Sequence, residues 1–311
     1  MRAVGVTEFG GPDALHIVDV EPEPLGPGQV RLRVEAAAVS PTDTHARSGA
    51  YAQRDPVKTP PWVPGMDVAG IVTEVGDGVE HLAVGDAAMG IVVPFGPYGA
   101  YREDKVLPGD SVVRVPRGAT TVEASTLPMN GLTARLALDL MGLAPGEVLA
   151  VTGAAGAFGG YVVQLAKADG LTVVADASEA DEELVHGLGA DVVVRRGDDV
   201  ADRIREQFPD GVDGLADGSV QDALVLPAVK DGGAVATVRG YRGDGQRGLR
   251  FFPTLVRRIA EDRAALDRLR QQVEDGVLTL RVARTLPAEE AAEAHRMLAR
   301  GGVRGRLVLT F

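Results

Sequence analysis

One segment near the middle of the chain restricts the possible folds more than any other. An apolar stretch, Val148–Thr152, runs into a glycine-rich turn at 153–160, and a helical apolar pattern follows at 161–170. Small residues let backbone amides approach a pyrophosphate, and the start of a helix offers unpaired N–H groups at the positive end of its dipole. This context predicts a dinucleotide-binding turn, with a purely structural tight turn as the alternative.

Further apolar stretches follow the turn and alternate with helical segments. They predict strands at Thr172–Ala175, Asp191–Val194, Val212–Ala216 and Ala234–Val238. Strands that alternate with helices pair in parallel, because the chain must cross over between them. An α/β fold with a doubly wound, Rossmann-type sheet is therefore predicted. Beyond it we expect a long charged helix over 255–275, an amphipathic helix over 288–300 and a terminal strand over 306–311.

The first part of the chain has a different pattern. From Met1 to about Thr121, short apolar runs are broken by Gly and Pro, which predicts mainly antiparallel β-structure. Longer helical stretches begin near Val122. A chain of 311 residues is also longer than one typical domain. We therefore place a domain boundary near residue 122.

Composition argues against several classes of function. A net charge of −12 and a pI near 4.9 oppose binding to nucleic acid or to an anionic membrane. The absence of cysteine excludes disulfides, a thiolate nucleophile and Cys-ligated zinc. The first eleven residues lack the features of a secretory signal, and glycines interrupt the longest uncharged stretch, Val148–Ala166. A cytoplasmic protein acting on a small molecule is expected.

Five segments carry a family resemblance along nearly the whole chain: VEAAAVSPTDTHARSGAY, PWVPGMDVAGIVTEVGDGV, LPMNGLTARLAL, AAGAFG and EAAEAHRMLARGGVRGRLVLTF. In order and spacing they are similar to the quinone oxidoreductase family of the medium-chain dehydrogenase/reductase superfamily. The resemblance implies a GroES-like, β-rich catalytic domain at 1–122 and 253–311 and a Rossmann domain at 123–252. It further implies an active site in the cleft between the domains, and a homodimer.

Two positions depart from the zinc-using members of that superfamily. Those relatives have a His–Glu pair where this chain has Met66 and Asp67, and a cysteine ligand in the region of Ser40–Asp43. A thioether does not bind zinc as an imidazole does. A zinc-independent reaction is therefore predicted, and no metal ligand is assigned.

The expected coenzyme is NAD(P)H. Asp176 ends the second predicted strand, where Rossmann proteins often place an acid on the adenosine ribose; it would repel a 2′-phosphate, which favours NADH. Alternatively, Asp176 caps the next helix and Arg196 reaches a 2′-phosphate. By resemblance, Asn130 and Thr133 lie beside the nicotinamide ribose or amide, with an ordinary helix start as the alternative. The full set of other expected coenzyme contacts is Ser40, Asn130, Thr133, Gly153, Ala154, Ala155, Gly156, Ala157, Phe158, Gly159 and Ser178.

Hydride transfer to a carbonyl acceptor builds negative charge on its oxygen, which needs a hydrogen-bond donor when no metal is present. The candidate catalytic groups are the Tyr51 hydroxyl and His45, with a backbone amide as the alternative; Tyr51 also fits a packing role. Asp43 is expected to orient its loop. The other four histidines are expected to be solvent-facing or helical without a partner: His16, His81, His186 and His295.

These features predict reduction of a quinone or an enone by NAD(P)H. The same hydride chemistry serves an enoyl reductase acting on a thioester or polyketide-like intermediate, which stays open as an alternative. A different class of function, a non-catalytic NAD(P)H-binding redox sensor, is also compatible with the fold.

Overall fold

The computed structural model describes all 311 residues, which form two compact units. Unit 1 comprises Met1–Met129, Arg257–Gly276 and Leu280–Phe311, and unit 2 comprises Asn130–Val256 and Val277–Thr279. Unit 2 is therefore inserted into unit 1, which contains both ends of the chain. None of the helices is long and apolar enough to span a membrane.

The chain contains fifteen strands and eight α-helices. The strands are β1 (Arg2–Gly5), β2 (His16–Asp19), β3 (Gln29–Ala38), β4 (Asp67–Val75), β5 (Ala87–Ile91), β6 (Asp104–Pro108), β7 (Val112–Arg114), β8 (Val148–Thr152), β9 (Thr172–Ala177), β10 (Val192–Arg195), β11 (Val212–Asp217), β12 (Val229–Thr237), β13 (Arg250–Pro253), β14 (Val282–Pro287) and β15 (Arg306–Thr310). The α-helices are α1 (Pro41–Ser48), α2 (Thr121–Ala124), α3 (Pro128–Met141), α4 (Ala157–Ala168), α5 (Glu182–Gly187), α6 (Val200–Gln207), α7 (Arg263–Glu274) and α8 (Ala291–Arg300).

Unit 1 is built on a seven-stranded sheet in the order β14-β15-β3-β4-β5-β7, with β6 also paired to β3. All of its pairs are antiparallel except β14–β15, as the broken apolar runs predict. The ten-residue β3 alternates between buried and less buried positions, so that Val30, Leu32 and Val34 enter the core. This core draws apolar side chains from both ends of the chain, including Leu286 and Leu307.

Unit 2 contains a six-stranded parallel sheet in the order β10-β9-β8-β11-β12-β13. The chain starts in the middle at β8, winds outward to β10, and then returns to continue from β11 on the other side. This is the predicted doubly wound arrangement. The sixth strand, β13, was not predicted; it has only four residues and ends at Pro253. Its Phe251 packs against the core of unit 2.

The prediction of one long helix over 255–275 is wrong in its first half. The structure has a short 3₁₀ segment, Val256–Ile259, and then a separate helix, α7. The side chain of Asp262 accepts a hydrogen bond from the amide of Ala265 at 2.9 Å, and this N-cap starts a new helix. The apolar spacing did not show the break, because a cap depends on one polar side chain.

Candidate active site

The glycine turn of unit 2 connects β8 to α4 and requires glycine at two places. Gly153 has a φ of +67°, in the left-handed region that other residues rarely adopt. A Cβ on Gly159 would lie 2.4 Å from the carbonyl oxygen of Gly153, so the helix packs directly on the turn. Ala157, Phe158 and Gly159 begin α4, and their N–H groups have no preceding helical turn to bond to. The turn thus presents donors suited to a diphosphate.

Asp176 holds this turn in place. Its Oδ1 accepts a hydrogen bond from the amide of Ala154 at 3.1 Å, and the amide of Gly153 also favours its charged form. Burial raises the pKa of Asp176, which is 5% exposed. The side chain that was predicted to contact a ribose therefore has a structural role as well, and Ala154, which is fully buried, already uses its amide.

The loop that follows β11 packs beside the same turn. A Cβ on Gly153 would lie 3.1 Å from the carbonyl carbon of Gly218. Asp217 is 2% exposed and fixes the loop, because it accepts hydrogen bonds from the Thr152 hydroxyl at 2.7 Å and from the amide of Asp222 at 2.8 Å. Val220 has a φ of +58°, which is strained for a β-branched residue. This loop was not among the sites predicted from the sequence.

The remaining predicted coenzyme residues of unit 2 lie at one edge of the sheet, on α3 and in the turn itself. The Ser178 hydroxyl donates to Asp181, and the exposed Arg196 lies just beyond β10 at the same edge of the sheet. Asn130 and Thr133 lie one turn apart on α3 and are 9% and 7% exposed. Ala155 is 8% exposed, whereas Gly156, Ala157 and Phe158 are more accessible.

In unit 1, a buried arginine lies among the positions where zinc-using relatives have metal ligands. Arg306, at the start of β15, donates to the Ser40 hydroxyl oxygen at 2.9 Å and to Asp67 Oδ2 at 2.8 Å. The other oxygen of Asp67 accepts from the amide of Met129 at 2.7 Å. Ser40 and Asp67 are 0% exposed and Arg306 is 4% exposed. Ser40 therefore contacts the guanidinium and is closed to ligands in this conformation.

This donor set does not fit a zinc ion. The chain has no cluster of three or more His, Cys, Asp or Glu side chains able to hold a metal, and Met66 beside Asp67 offers only a thioether. The guanidinium of Arg306 already neutralises Asp67. A second cation at this place would be repelled by that fixed positive charge.

Asp43 is a buried orienting residue, in line with its predicted role. Its Oδ2 accepts from the amide of Ser40 at 2.7 Å and from the Tyr101 hydroxyl at 2.9 Å, and its Oδ1 accepts from the amide of Gly65 at 3.2 Å. Burial raises the pKa of Asp43 to about 7, although the hydrogen bonds from Ser40 and Tyr101 act to lower it. The carboxyl group thus joins the start of α1 to two other segments of unit 1.

The two candidate catalytic side chains lie close together. The ring centroids of His45 and Tyr51 are 5.7 Å apart, with an angle of 43° between the planes. His45 is on α1 and is partly exposed, whereas Tyr51 follows the end of the helix at Gly49 and is 39% exposed. Both side chains are accessible from solvent, as groups that meet a substrate must be.

Four polar residues of unit 1 were missed or misplaced by the sequence analysis. His295 is helical as expected, but it is fully buried and lies 3.3 Å from the Tyr101 hydroxyl. Tyr101, Asp67 and Arg306 were assigned no role. The only signal in the sequence is an ionisable residue inside an apolar stretch, as in MDVAG and RLVLT, and buried charges are almost always paired.

Two family models match the chain. The alcohol dehydrogenase GroES-like domain matches residues 26–117, and the zinc-binding dehydrogenase model matches residues 188–309. The first match covers strands β3 to β7 of the sheet of unit 1. The second covers part of the parallel sheet and the return of the chain to unit 1.

Curated relatives match at about one third identity. A 2-haloacrylate reductase of Burkholderia sp is 31% identical over 99% of this chain and 98% of its own length, and the mouse quinone oxidoreductase is 31% identical over 99% and 97%. For other relatives the match is partial. The chain spans 62% of a tomato 2-methylene-furan-3-one reductase, which is 32% identical, and 4% of the polyketide synthase component PikAII of Streptomyces venezuelae, which is 39% identical over 55% of this chain.

Solved structures match over the full length. The quinone oxidoreductase of Coxiella burnetii has a TM-score of 0.87 at 28% identity, covering 100% of this chain and 99% of that one. A mycobacterial structure complexed with NADPH has a TM-score of 0.86 at 28% identity and covers 100% of both chains. The chain therefore belongs to the medium-chain dehydrogenase/reductase superfamily, where it is similar to quinone oxidoreductases over nearly its whole length.

Proposed function

We propose that this protein is a zinc-independent NAD(P)H-dependent oxidoreductase that transfers a hydride to a quinone or to an α,β-unsaturated carbonyl compound. The glycine turn between β8 and α4 carries the proposal. Gly153 has a left-handed backbone conformation, and a side chain at Gly159 would clash with the turn. The first amides of α4 have no carbonyl of a preceding helical turn to bond to, so they can donate to a diphosphate. The printed names of relatives, quinone oxidoreductase and 2-haloacrylate reductase, support the class of acceptor.

The residues that would hold the coenzyme are those of the turn, with Asn130 and Thr133 on the nicotinamide side. NADH is the proposed preference, since Asp176 near the end of β9 and Glu179 and Asp181 beyond it place negative charge where a 2′-phosphate would be repelled. Asp176 Oδ1 already accepts from the turn, so a ribose hydroxyl would have to bond to Oδ2. Arg196 is the residue that would favour NADPH instead.

The bound coenzyme supplies the hydride, and the protein must stabilise the oxygen that becomes negative. Tyr51 and His45 are the proposed donors, because both are accessible and their rings are in contact. Quinones and enones are electrophilic already, so holding the reactants in place accounts for much of the rate. Ser40 is proposed to act indirectly, since its hydroxyl is buried against Arg306.

Zinc independence is part of the proposal and rests on chemistry of the donors, not on the description of the matching family model. Met66 stands where zinc-using relatives have the His of a His–Glu pair, their Cys ligand falls in the region of Ser40–Asp43, and Arg306 already pairs with Asp67. We also propose that the protein is a homodimer, from its family resemblance. Multi-angle light scattering of the purified protein tests that assignment directly.

An acceptor screen tests the function. The purified protein, treated with a chelator, is mixed with NADH or NADPH and with naphthoquinone, an aliphatic enone or a crotonyl thioester. We expect loss of nicotinamide absorbance with the first two acceptors and little effect of the chelator. The ratio of the dissociation constants for NADH and NADPH, measured by calorimetry, tests the coenzyme preference.

The outcomes separate the alternatives. Turnover confined to the thioester favours an enoyl reductase, which the partial match to a polyketide synthase component also supports. Coenzyme binding without turnover of any acceptor favours a redox sensor. No binding of either reduced coenzyme contradicts all three proposals, because each depends on the glycine turn.

A further inference from the structure

A series of hydrogen bonds in unit 1 begins and ends on the same helix. Arg47 Nη1 lies 3.4 Å from His295 Nδ1, and His295 Nε2 lies 3.3 Å from the Tyr101 hydroxyl. That hydroxyl lies 2.9 Å from Asp43 Oδ2. We call these four residues the buried polar chain. Asp43 and Arg47 are both on α1, so Tyr101 and His295 bridge two points of one helix from outside it.

With Asp43 ionised, the chemistry of the four groups allows one arrangement of protons. Arginine only donates, so Arg47 must donate to His295 Nδ1. The proton of the neutral imidazole is then on Nε2, which donates to the Tyr101 oxygen, and the Tyr101 hydroxyl donates to Asp43. Burial lowers the pKa of His295 to about 3, which keeps the ring neutral as this arrangement requires. Each bond therefore fixes the direction of the next.

Because the groups are buried, losing any one of these hydrogen bonds is costly. Asp43, Tyr101 and His295 are each 0% exposed, so water cannot replace a lost partner without rearrangement. Further bonds anchor both ends: the amide of Gly65 donates to Asp43 at 3.2 Å, and Arg47 Nε donates to the carbonyl oxygen of Gly10 at 3.1 Å. The face of α1 that carries Asp43 and Arg47 thus has a defined orientation.

The candidate catalytic pair depends on that orientation. Asp43 and Arg47 are four residues apart and share a face of α1, whereas His45 is two residues from each and projects from another side. Tyr51 follows the helix closely, after Gly49, whose φ is +79°. A rotation of α1 about its axis would therefore move the His45 ring and its contact with Tyr51.

We propose that Tyr101 and His295 are positioning residues, which hold the Asp43–Arg47 face of α1 and so set the orientation of His45 and Tyr51 toward the acceptor. This inference rests on the proposed function. Neither residue has to touch the substrate. Both act through α1, and their loss should lower kcat and leave coenzyme affinity unchanged, because the glycine turn is in the other unit.

The test compares Tyr101→Phe and His295→Leu with a control, His186→Gln. His186 is a helical histidine of unit 2 and does not belong to the buried polar chain. We expect kcat with naphthoquinone to fall about tenfold in the first two variants, since small misplacements of reacting groups are costly. Coenzyme dissociation constants should match the wild type. Each variant is then combined with Tyr51→Phe. If Tyr101 acts through Tyr51, the double variant should be no slower than the slower single variant.

Three results would overturn the inference: unchanged kcat in Tyr101→Phe, full additivity with Tyr51→Phe, or loss of folding in Tyr101→Phe. The last would show a stability role alone, since that change removes one hydroxyl and keeps the ring. If the wild type turns over no acceptor, the proposed function fails by itself. Even then, histidine ¹⁵N spectra must show the Nε2–H form of His295 and a shifted His45 signal in Tyr101→Phe.

Discussion

The glycine turn of unit 2 and the buried polar groups of unit 1 are organised in opposite ways. The turn is continuous in sequence, and its residues from 153 to 160 contact one another within a few positions. The polar groups of unit 1 come from distant places, since Arg306 and Asp67 are 239 residues apart and Arg47 and His295 are 248 residues apart. The turn is therefore visible in a short window of sequence, while the polar groups exist as sites only in the folded chain.

The two regions also depend on different physical constraints. In the turn, the choice of residue is limited by space, because a Cβ at Gly159 would lie 2.8 Å from Ala154 Cα and closer still to a carbonyl oxygen. The polar groups are limited by the cost of burying charge without a partner. Substitutions should accordingly affect ligand binding in the first region and folding or catalysis in the second.

The largest effect is expected from removing Arg306, the buried cation paired with Asp67. Arg306→Met leaves Asp67 and the Ser40 hydroxyl without their donor and should lower the free energy of unfolding by about 3–5 kcal/mol. Urea unfolding followed by circular dichroism measures it. The double change Arg306→Met/Asp67→Asn removes both charges and should recover part of the loss. Equal stability of Arg306→Met and wild type would contradict the assigned role of the ion pair.

A smaller effect on stability, but a clear one on coenzyme binding, is expected at the turn. Gly159→Ala forces a methyl group against the Gly153 carbonyl, and overpacking of this kind costs about 1–3 kcal/mol. If this cost falls on binding, the affinity drops roughly 5- to 150-fold. Calorimetry with NADH measures the change. Gly187→Ala is the control, because a Cβ there meets nothing within 4 Å. Normal affinity in Gly159→Ala would show that the turn does not hold the diphosphate.

The buried polar chain should show opposite pH dependences at Asp43 and His295, its two members whose folded pKa is near 7 or lower. With a folded pKa near 7, Asp43 keeps a proton that the unfolded chain releases, so its contribution to stability falls as pH rises from about 4 to about 7. With a folded pKa near 3, His295 stays neutral in the folded protein over a pH range in which the unfolded chain binds a proton. Its contribution to stability is therefore lost as pH falls from about 6.5 to about 3. In the wild type the two slopes oppose each other.

Single substitutions should expose each slope. In His295→Leu, stability should fall as pH rises between about 4 and 7; in Asp43→Asn, stability should fall as pH decreases over nearly the same range. Urea midpoints at three pH values measure both. Asp67, Arg306 and Arg47 are present in both variants, so their contributions cancel in the comparison. Parallel pH profiles for the two variants would contradict the opposite pKa shifts.

The smallest effect is expected at the exposed catalytic candidate. Tyr51→Phe removes a hydroxyl that donates a hydrogen bond to the acceptor oxygen, and water can partly replace this donor. We therefore expect kcat/KM with a quinone to fall by no more than about tenfold, which is below the usual effect of a general acid. Steady-state kinetics measure it, and folding should be unaffected because the side chain is 39% exposed. Complete loss of turnover would show an indispensable acid and a less electrophilic natural acceptor.

The sequence patterns predicted helices and strands correctly where no single polar residue, such as a helix cap, set the boundary of the element. Four of the predicted parallel strands lie where β9 to β12 lie, and the turn is bounded as expected. The helix over 255–275 was overextended because the cap at Asp262 separates two segments of similar apolar pattern. The four-residue β13, RFFP, was missed because a proline in so short a run argues against a strand.

The sequence alone determined the parallel sheet, the glycine turn and the lack of cysteine ligands, because each depends on local spacing or on composition. The tertiary structure decided that Arg306 neutralises Asp67 beside Ser40, that Asp176 holds the turn, and that His295 is buried against Tyr101. Such pairs form when distant segments pack together and exclude water. No local pattern records them, since the pairing follows from which charges the fold buries.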